Sequence, residues 1–469
     1  MGYIHDVWLL PSGMLFCGSI LAFLTTVLIL NRYLVWSRLC HVPGPRLAPF
    51  SNYWMLRGAL TGKFPQILND VCEIYGPLAR IGPNDLICSD PDVIRRMSSA
   101  KSGYRRSNFY SSFSFIPDRY NMLSTTDEKI HADLKAKTAA GYSGKDVENL
   151  EQSIDRQINA FIGLIERKYL STPAEFRPVD FARKIQYLTL DATTDTAFGK
   201  AFGCIGQDDD MYGYIKTINQ LLPAAVIAGI FPWLVTLSRS FICKPFLPTE
   251  KDESGFGKLM QVGNNIVAER FGESKKTQND MLGSFVAHGL SEEEARSESL
   301  LQVIAGTETT ATAISAILLY ITTSSSCYTA LQAAIDDSIN GGKISSPVTD
   351  AEARAIPYLQ AVIKEGLRIF PVVGGILPKV VPEGGDIING FKIPGGTNIS
   401  LCPIAIAHSK ATFGPDADIF RPERWLEVKD HDRLRKMNLT ADLVFGSGKW
   451  TCSGKNLAMM EMGKVLVEV

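Results

Sequence analysis

The sequence predicts a mainly α-helical fold with a minor β part, in which one large domain follows an N-terminal membrane helix. Three observations support this prediction: long segments with apolar residues three and four positions apart, an uncharged stretch near the N-terminus, and no internal repeat or break in composition. With 469 residues, 45% of them hydrophobic, the chain can bury a large core. Its formal net charge of -1 argues against a generally basic nucleic-acid-binding protein.

The first element is a membrane anchor. Val7 to Asn31 contains no charged residue, which is long enough for a span of about 20 residues. A secretory signal peptide is the alternative, but Asp6 stands where a basic region is expected and no small-x-small cleavage site precedes Arg32. Because Arg32 and Arg38 follow the span, the positive-inside rule places the rest of the protein in the cytosol.

The remaining chain divides into a short linker and the large domain. The predicted bounds are 1–40 for the anchor and its flanks, 41–62 for a Pro-rich hinge and linker, and 63–469 for the domain. Helical periodicity is clearest in five windows: Phe64–Tyr75, Asp127–Ala140, Val147–Tyr169, Phe176–Ala197 and Phe256–Glu269. Strand-like pieces are few: Leu78–Ile81, Asp85–Cys88, Gly375–Val380 and Asn398–Leu401.

The longest predicted helix begins after Ser291, which forms a capping box with Glu294, and runs to about Thr322. A helix of this length, on the order of 45 to 50 Å, must cross the whole domain. Its middle reads AGTETT, from Ala305 to Thr310, and glycine and threonine there lower helix propensity. Tolerated core polarity is one interpretation. The functional alternative is that Gly306 opens room beside the helix, while Thr309 and Glu308 place a hydroxyl and a carboxylate near a ligand.

Nine cysteines are scattered along the chain without a CxxC pair, which argues against a zinc knuckle, a redox pair and a clustered disulfide framework. Cys452 differs from the others because it lies in the glycine-rich stretch FGSGKWTCSGKN. A phosphate-binding loop is excluded, because Leu443 and Trp450 stand where glycine and Ser or Thr are needed. A solitary thiolate before a helix suits an axial ligand of haem iron, and an inert buried cysteine remains the alternative.

Two further segments complete the pattern. EGLR carries Glu365 and Arg368 one helical turn apart, and FRPERW carries Arg424. Together with FGSGKWTCSG and AGTETT, in this order behind an anchor and a Pro-Gly-Pro hinge, these motifs resemble the cytochrome P-450 family of haem-thiolate monooxygenases. The resemblance covers almost the entire chain. The segments YGPLARIGPNDLICSDPDVIRRM and GKAFG are similar to sequences of the filamentous-fungal, pisatin-demethylase-like branch, whose enzymes commonly work in secondary metabolism.

The resemblance implies a cytochrome P-450 fold and assigns roles to individual residues. Cys452 is expected to bind the iron of haem b, with Phe445 near its sulfur. Thr309 and Glu308 are expected to manage proton delivery. Glu365, Arg368 and Arg424 would form a buried charged cluster with a folding role.

The haem propionates are expected to meet an unusual set of side chains. The basic residue of the cysteine loop is Lys449, since Trp450 stands where many members have arginine. The helical pair that usually reaches the propionates is His131 and Lys135, and the basic residue after the EGLR helix is Lys379. Lysine lacks the bidentate fork of arginine, so haem affinity is expected to be lower than is typical of the family.

The reaction implied is insertion of one oxygen atom of O2 into a lipophilic small molecule, with the apolar loops Ser107–Thr126 and Leu221–Leu237 lining the pocket. No dinucleotide fingerprint is present, and the resemblance implies that electrons come from NADPH through a separate flavoprotein reductase. The resemblance also implies a single-pass protein of the endoplasmic reticulum membrane. Alternatives are a haem-thiolate rearrangement or dehydration enzyme and a non-catalytic haem-binding membrane protein.

The end of the chain carries a separate expectation. Asn456 to Val469 has the composition of a helix but no stop signal follows it. The family resemblance implies further β-hairpins after this helix, so the sequence predicts a truncated domain with weak haem retention and impaired turnover.

Overall fold

The computed structural model describes residues 9–271 and 278–469, and these form a helical domain behind one long N-terminal helix. Helix makes up 62% and strand 5%, which confirms the predicted mainly α class. The helices are α1 (Leu9–Arg38), α2 (Tyr53–Leu60), α3 (Phe64–Tyr75), α4 (Pro91–Ser98), α5 (Glu128–Tyr142), α6 (Leu150–Lys168), α7 (Phe181–Phe198), α8 (Cys204–Gln207), α9 (Tyr214–Ile230), α10 (Pro232–Ser238), α11 (Gly255–Phe271), α12 (Met281–Ala287), α13 (Glu292–Thr323), α14 (Ser325–Asn340), α15 (Asp350–Arg354), α16 (Pro357–Ile369), α17 (Pro403–Ala407), α18 (Lys410–Phe413), α19 (Arg424–Glu427), α20 (His431–Ala441) and α21 (Lys455–Glu468). Short 3-10 helices lie at Asn108–Phe113, Met211–Gly213, Lys244–Phe246, Asp442–Phe445 and Gly448–Trp450.

The strands are β1 (Leu78–Arg80), β2 (Asp85–Cys88), β3 (Arg105–Arg106), β4 (Lys379–Val380), β5 (Asp386–Ile388), β6 (Phe391–Ile393) and β7 (Asn398–Leu401). Five of them form one sheet in the order β1-β2-β7-β4-β3, in which β2 and β7 are parallel and the other pairs antiparallel. Strands β5 and β6 form a separate hairpin.

The N-terminal helix leaves the domain. Among the described residues two helices have the length and hydropathy of a membrane span, Phe16–Arg38 and α13. The first is unburied, whereas α13 is 44% buried within the domain. The predicted anchor is therefore compatible with α1, while Asp6 and Val7 lie outside the described residues.

The core is organised around α13. Its capping box is present, since the Ser291 hydroxyl accepts from the Glu294 N–H and the Glu294 carboxylate accepts from the Ser291 N–H. The helix packs mainly on α7 and also on α11, α16 and α21. Gly306 faces α7, because a Cβ at this position would lie 3.1 Å from Thr193. The room that this glycine opens is filled by a neighbouring helix.

Two predicted elements need correction. The expected strand Gly375–Val380 is reduced to Lys379–Val380, because Pro378 has no N–H to donate to a sheet. The expected helix Phe176–Ala197 begins only at Phe181, where the Asp180 carboxylate caps the first turn. The β5–β6 hairpin was not predicted. Its turn is Asn389-Gly390, with φ of +47° and +84°, a sequence signal that could have revealed it.

Candidate functional site

The cysteine loop depends on glycines with positive φ. Gly446 and Gly448 adopt φ of +74° and +55°, values that favour glycine over residues with a side chain. A Cβ on Gly448 would lie 2.0 Å from the Ser98 carbonyl oxygen, so the backbones touch directly. The loop closes where the Cys452 N–H donates to the Phe445 carbonyl at 2.7 Å. This tight path presents Cys452 just before α21 begins.

The Cys452 side chain is exposed, yet protein surrounds it on most sides. Burial raises the pKa of its thiol, and the N–H groups of Gly454 and Lys455 together with the Lys135 ammonium group oppose that rise. Among the described residues, no group of three or more His, Cys, Asp or Glu side chains could hold a metal ion.

The middle of α13 is also open on one face. Ala305 is exposed although Ile304 and Thr307 beside it are buried, and Thr309, one turn further, is half-buried. The Thr309 hydroxyl donates to the Ala305 carbonyl at 2.8 Å. This bond places the hydroxyl at the open face.

Glu308 points to a different neighbour. Its Oε2 accepts from the Gln186 side chain of α7 at 3.1 Å, and its Oε1 is buried without a hydrogen-bond partner among the described residues. Burial raises the pKa of this carboxyl, and the Gln186 bond lowers it less than burial raises it. Glu308 and Thr309 are therefore adjacent in sequence but lie on different faces of the helix.

The four predicted propionate-binding residues lie near one another. Lys135 on α5 donates to the Lys449 and Thr451 carbonyls at 3.1 and 2.9 Å. Lys449 donates to the Tyr104 carbonyl at 2.7 Å. Burial lowers the pKa of buried His131 to about 3, with help from the positive charges of Lys135, Lys449 and Lys379. The structure thus gathers positive charge beside the cysteine loop.

Lys379 lies between two aromatic rings. Its Nζ is 4.6 Å from the centroid of the Tyr110 ring and 4.8 Å from that of Trp450, and it donates to the Tyr110 hydroxyl. Burial lowers the pKa of Lys379 well below its ordinary value, and the nearby Arg106 lowers it further. The Trp450 indole N–H donates to Glu128 at 3.2 Å. Tryptophan thus serves as a platform for lysine at this site.

Sequence reasoning missed Arg106. This residue is 6% exposed, and β3 pairs it with Lys379. It contributes to lowering the pKa values of His131, Lys135 and Lys379. The only local signal was the pair Arg105-Arg106 in a short extended segment, where alternation turns one arginine inward. Among the described residues, the carboxylate that meets this cluster directly is Glu128.

The predicted charged cluster around Glu365 is confirmed. Glu365, Arg368 and Arg424 are at most 1% exposed, and Glu365 pairs with Arg368 at 2.7 Å and with Arg424 at 2.9 Å. The indole N–H of Trp425 donates to the same carboxylate at 3.0 Å. Both guanidinium groups also donate to backbone carbonyls of the segment between α17 and α19. The cluster therefore ties α16 to this segment.

The comparison with known protein families decides the class. The cytochrome P450 family model matches residues 42–469. This chain belongs to the cytochrome P-450 family. The cytochrome P-450 monooxygenase ABA1 of Pyricularia oryzae is 44% identical over 464 residues, which cover 96% of this chain and 90% of the relative. The corresponding figures are 39%, 91% and 85% for aba1 of Botryotinia fuckeliana, and 35%, 97% and 80% for abl1 of Leptosphaeria maculans.

Family membership makes this P-450 an oxidoreductase with a haem cofactor, and the resemblance to enzymes of filamentous fungi is confirmed. The described residues fit such a group. Cys452 offers one exposed thiol, and the positive charges of Arg106, Lys135 and Lys449 beside its loop exceed the negative charge of Glu128. A ligand with a metal centre and two carboxylates matches both features.

Proposed function

We propose that this P-450 is a haem-thiolate monooxygenase of fungal secondary metabolism that inserts one oxygen atom of O2 into a lipophilic small molecule. The observation that carries the proposal is the open Cys452 thiol in its glycine loop, next to a cluster of cations and in a domain crossed by α13 with its open face. The names of the fungal relatives, which are all cytochrome P-450 monooxygenases, support the same reaction class.

In this proposal Cys452 would supply the thiolate that binds the haem iron, and the Phe445 carbonyl holds the loop by accepting from the Cys452 N–H at 2.7 Å. The haem carboxylates would be held by Arg106, Lys135, Lys379 and Lys449, and His131, which is neutral at pH 7, would add a ring N–H as a hydrogen-bond donor. When bound, the haem supplies the activation of O2 and the abstraction of hydrogen from an unactivated C–H bond. The protein supplies position, charge and exclusion of water.

Proton delivery is assigned to Thr309 and Glu308. The Thr309 hydroxyl donates its proton to the Ala305 carbonyl and keeps its lone pairs as hydrogen-bond acceptors at the open face of α13. Glu308 holds a proton more readily than an exposed glutamate because it is buried, and Gln186 links it to α7. In this proposal Glu308 takes up protons on the α7 side, and the Thr309 hydroxyl accepts a hydrogen bond at the open face.

The substrate is expected to be apolar with a few polar groups. The two predicted pocket loops meet, since a Cβ on Gly229 would lie 2.6 Å from the Phe109 ring. A cavity of about 310 Å³ between them is lined by Phe109 and Ile230 as well as by Asn52, Ser107 and Asn108. Neither Cys452 nor Thr309 lines this cavity, so it is not assigned as the place where the substrate reacts.

Electrons are assigned to NADPH through a separate flavoprotein reductase on the strength of membership in the cytochrome P-450 family. The long exposed α1 supports a single-pass anchor, and Arg32 and Arg38 after the span favour a cytosolic domain on the endoplasmic reticulum.

The thiolate assignment is tested by Cys452→Ala in the full chain, with Cys243→Ala as the matched control because Cys243 is half-buried and lies on the surface segment after α10. We expect the strongly red-shifted Soret band of the reduced carbon-monoxide complex in wild type and in the control, and its loss in Cys452→Ala. A surviving band would refute the ligand assignment. Turnover without NADPH and reductase would instead favour a rearrangement or dehydration enzyme.

A further inference from the structure

A second buried carboxyl on α13, that of Glu298, lies outside the residues assigned above. Glu298 is 1% exposed and stands two helical turns before Ala305. Its Oε1 accepts the main-chain N–H of Met122 at 2.5 Å. Its Oε2 is buried and has no hydrogen-bond partner in the described part of the chain. Among the described residues, the hydrogen bond of the Glu298 carboxyl is therefore the one to the Met122 main chain.

Met122 connects three parts of the site. Its carbonyl accepts from Arg106 Nη1 at 2.5 Å. Its sulfur accepts from the hydroxyls of Thr138 on α5 and of Ser453, at 4.0 and 3.9 Å. Ser453 directly follows Cys452, so Met122 lies between α13, the cation cluster and the cysteine loop.

The Arg106 guanidinium depends on this contact. Within residues 9–271 and 278–469 no carboxylate lies at ion-pair distance from it, its Nε is buried without a hydrogen-bond partner, and its Cζ lies 5.4 Å from the centroid of the Tyr110 ring. The carboxylate of Glu128 accepts from the Arg106 main-chain N–H, at 3.2 Å, and not from the guanidinium. Among the described residues, the hydrogen-bond acceptor of the guanidinium is the Met122 carbonyl. The group is therefore oriented but not neutralised.

We propose that Glu298 is a positioning residue for the haem carboxylate site: it holds Met122, and Met122 holds the Arg106 guanidinium free to bind a haem carboxylate. This inference rests on the proposed function, because it takes the cation cluster as the place of the haem carboxylates.

The chemistry of an acid at this position supports the role. Burial raises the pKa of Glu298 to about 8, against the opposing effects of the Met122 N–H and of Arg106. The other titratable groups that face it are Glu294 on its own helix and Tyr142 on α5. The neutral acid is thus the main form at pH 7. A neutral acid accepts the Met122 N–H without competing with a haem carboxylate for Arg106.

The test measures the rate at which the full-length holoprotein transfers hemin to excess apomyoglobin. The variants are Glu298→Leu, Glu298→Gln, Arg106→Gln and the double variant Glu298→Leu/Arg106→Gln. Glu292→Gln, on the exposed start of α13, is the matched control. At pH 7 we expect about tenfold faster loss in Glu298→Leu, which is the effect of about 1.4 kcal/mol, and wild-type rates within about twofold in Glu298→Gln and the control.

The double variant separates positioning from general packing. If Glu298 acts through Arg106, the double variant loses hemin no faster than Arg106→Gln alone. Hemin loss at the wild-type rate in Glu298→Leu would overturn the proposal. So would a double variant whose rate increase equals the product of the increases in the two single variants.

Glu298→Gln covers the case in which Glu298→Leu does not fold. Between pH 7 and pH 9 the Glu298 carboxyl of wild type ionises beside Arg106, so wild type should lose hemin several-fold faster at pH 9. The rate of hemin loss from Glu298→Gln should rise less over the same interval. Equal acceleration in both proteins would overturn the proposal. Failure of the proposed function is distinguishable, because wild type would then lack the red-shifted carbon-monoxide band altogether.

Discussion

At the residue scale, Thr309 and Glu308 show how neighbours in sequence acquire different surroundings. Thr309 lies on the open face of α13, whereas the Glu308 carboxyl is buried against Gln186 of α7. The proposed proton path therefore needs both residues, one at each side of the helix.

Thr309→Val tests the open end of this path. Valine keeps the shape and removes the hydroxyl, so we expect product formed per NADPH consumed to fall by about tenfold, with more peroxide released. Thr312→Val is the control, because the Thr312 hydroxyl also bonds to the carbonyl four residues earlier, at 2.7 Å. The measurement is product, peroxide and NADPH in membranes with reductase and a substrate found by its spectral shift. Unchanged coupling in Thr309→Val would remove this residue from the mechanism.

Glu461 on α21 gives a pH-dependent prediction. It is 4% exposed, and burial raises its pKa to about 8. Because an unfolded glutamate has a pKa of about 4.3, the native state binds more protons between these values, and stability falls as pH rises from about 4.3 to about 8. Glu461→Gln removes the titrating carboxyl and with it this part of the pH dependence of stability.

We therefore expect Glu461→Gln to reduce the loss of unfolding free energy between pH 5 and pH 9 by on the order of 1 to 3 kcal/mol. Denaturant midpoints at the two pH values measure it. The exposed Glu166→Gln serves as the control. The same pH dependence in Glu461→Gln and wild type would show that Glu461 is ionised in the folded protein at low cost.

At the element scale, the cysteine loop meets the C-terminal end of α4 through backbone atoms. Gly448 touches the Ser98 carbonyl at the end of α4, and its φ is +55°. Because these two backbones are in direct contact, there is no space between them for the methyl group of an alanine.

Gly448→Ala should therefore displace the loop that carries Cys452. We expect a cost of about 1–3 kcal/mol and partial loss of the red-shifted carbon-monoxide band in favour of a band from a displaced ligand. Gly454→Ala is the matched control in the same loop, since its φ is -84° and no heavy atom lies within 4 Å of an added Cβ. Equal spectra for both variants would contradict a rigid loop.

At the scale of the whole molecule, the N-terminal helix α1 is joined to the domain by Arg80. This arginine is 1% exposed, and its guanidinium donates to the Trp36 and Val35 carbonyls at 3.0 and 3.3 Å. Arg38 adds a bond to the Gly395 carbonyl at 2.7 Å. The last turn of α1 thus belongs to the domain, and this caps the C-terminal end of α1 with positive charge.

Two deletions separate the span from this cap. Removal of residues 1–31 leaves the acceptors of Arg80 in place, whereas removal of residues 1–38 leaves a buried guanidinium short of two partners. We expect both forms to leave the carbonate-resistant membrane fraction, and the shorter form to be less stable by about 1–3 kcal/mol. Fractionation and thermal midpoints measure this. A deletion form that stays carbonate-resistant would contradict α1 as the anchor, and equal midpoints would contradict the cap.

The sequence alone was sufficient for the class and for much of the site. Periodicity predicted the mainly α fold, the Ser291 capping box predicted where α13 begins, and the order of four motifs pointed to the P-450 family. These features depend on residues close together in the chain, where spacing and local hydrogen bonding decide the structure. The positions of Lys135, Lys379 and Lys449 relative to the motifs also predicted that these lysines lie near Cys452.

Tertiary structure alone decided which side chains share a neighbourhood. Arg106 joins the cluster because β3 pairs with β4, across more than 270 residues of sequence. Gly306 proved to face α7, and Glu298 proved to reach Met122, because the packing of α13 sets the direction of each of its faces. Such contacts depend on elements far apart in the chain, and no local pattern records them.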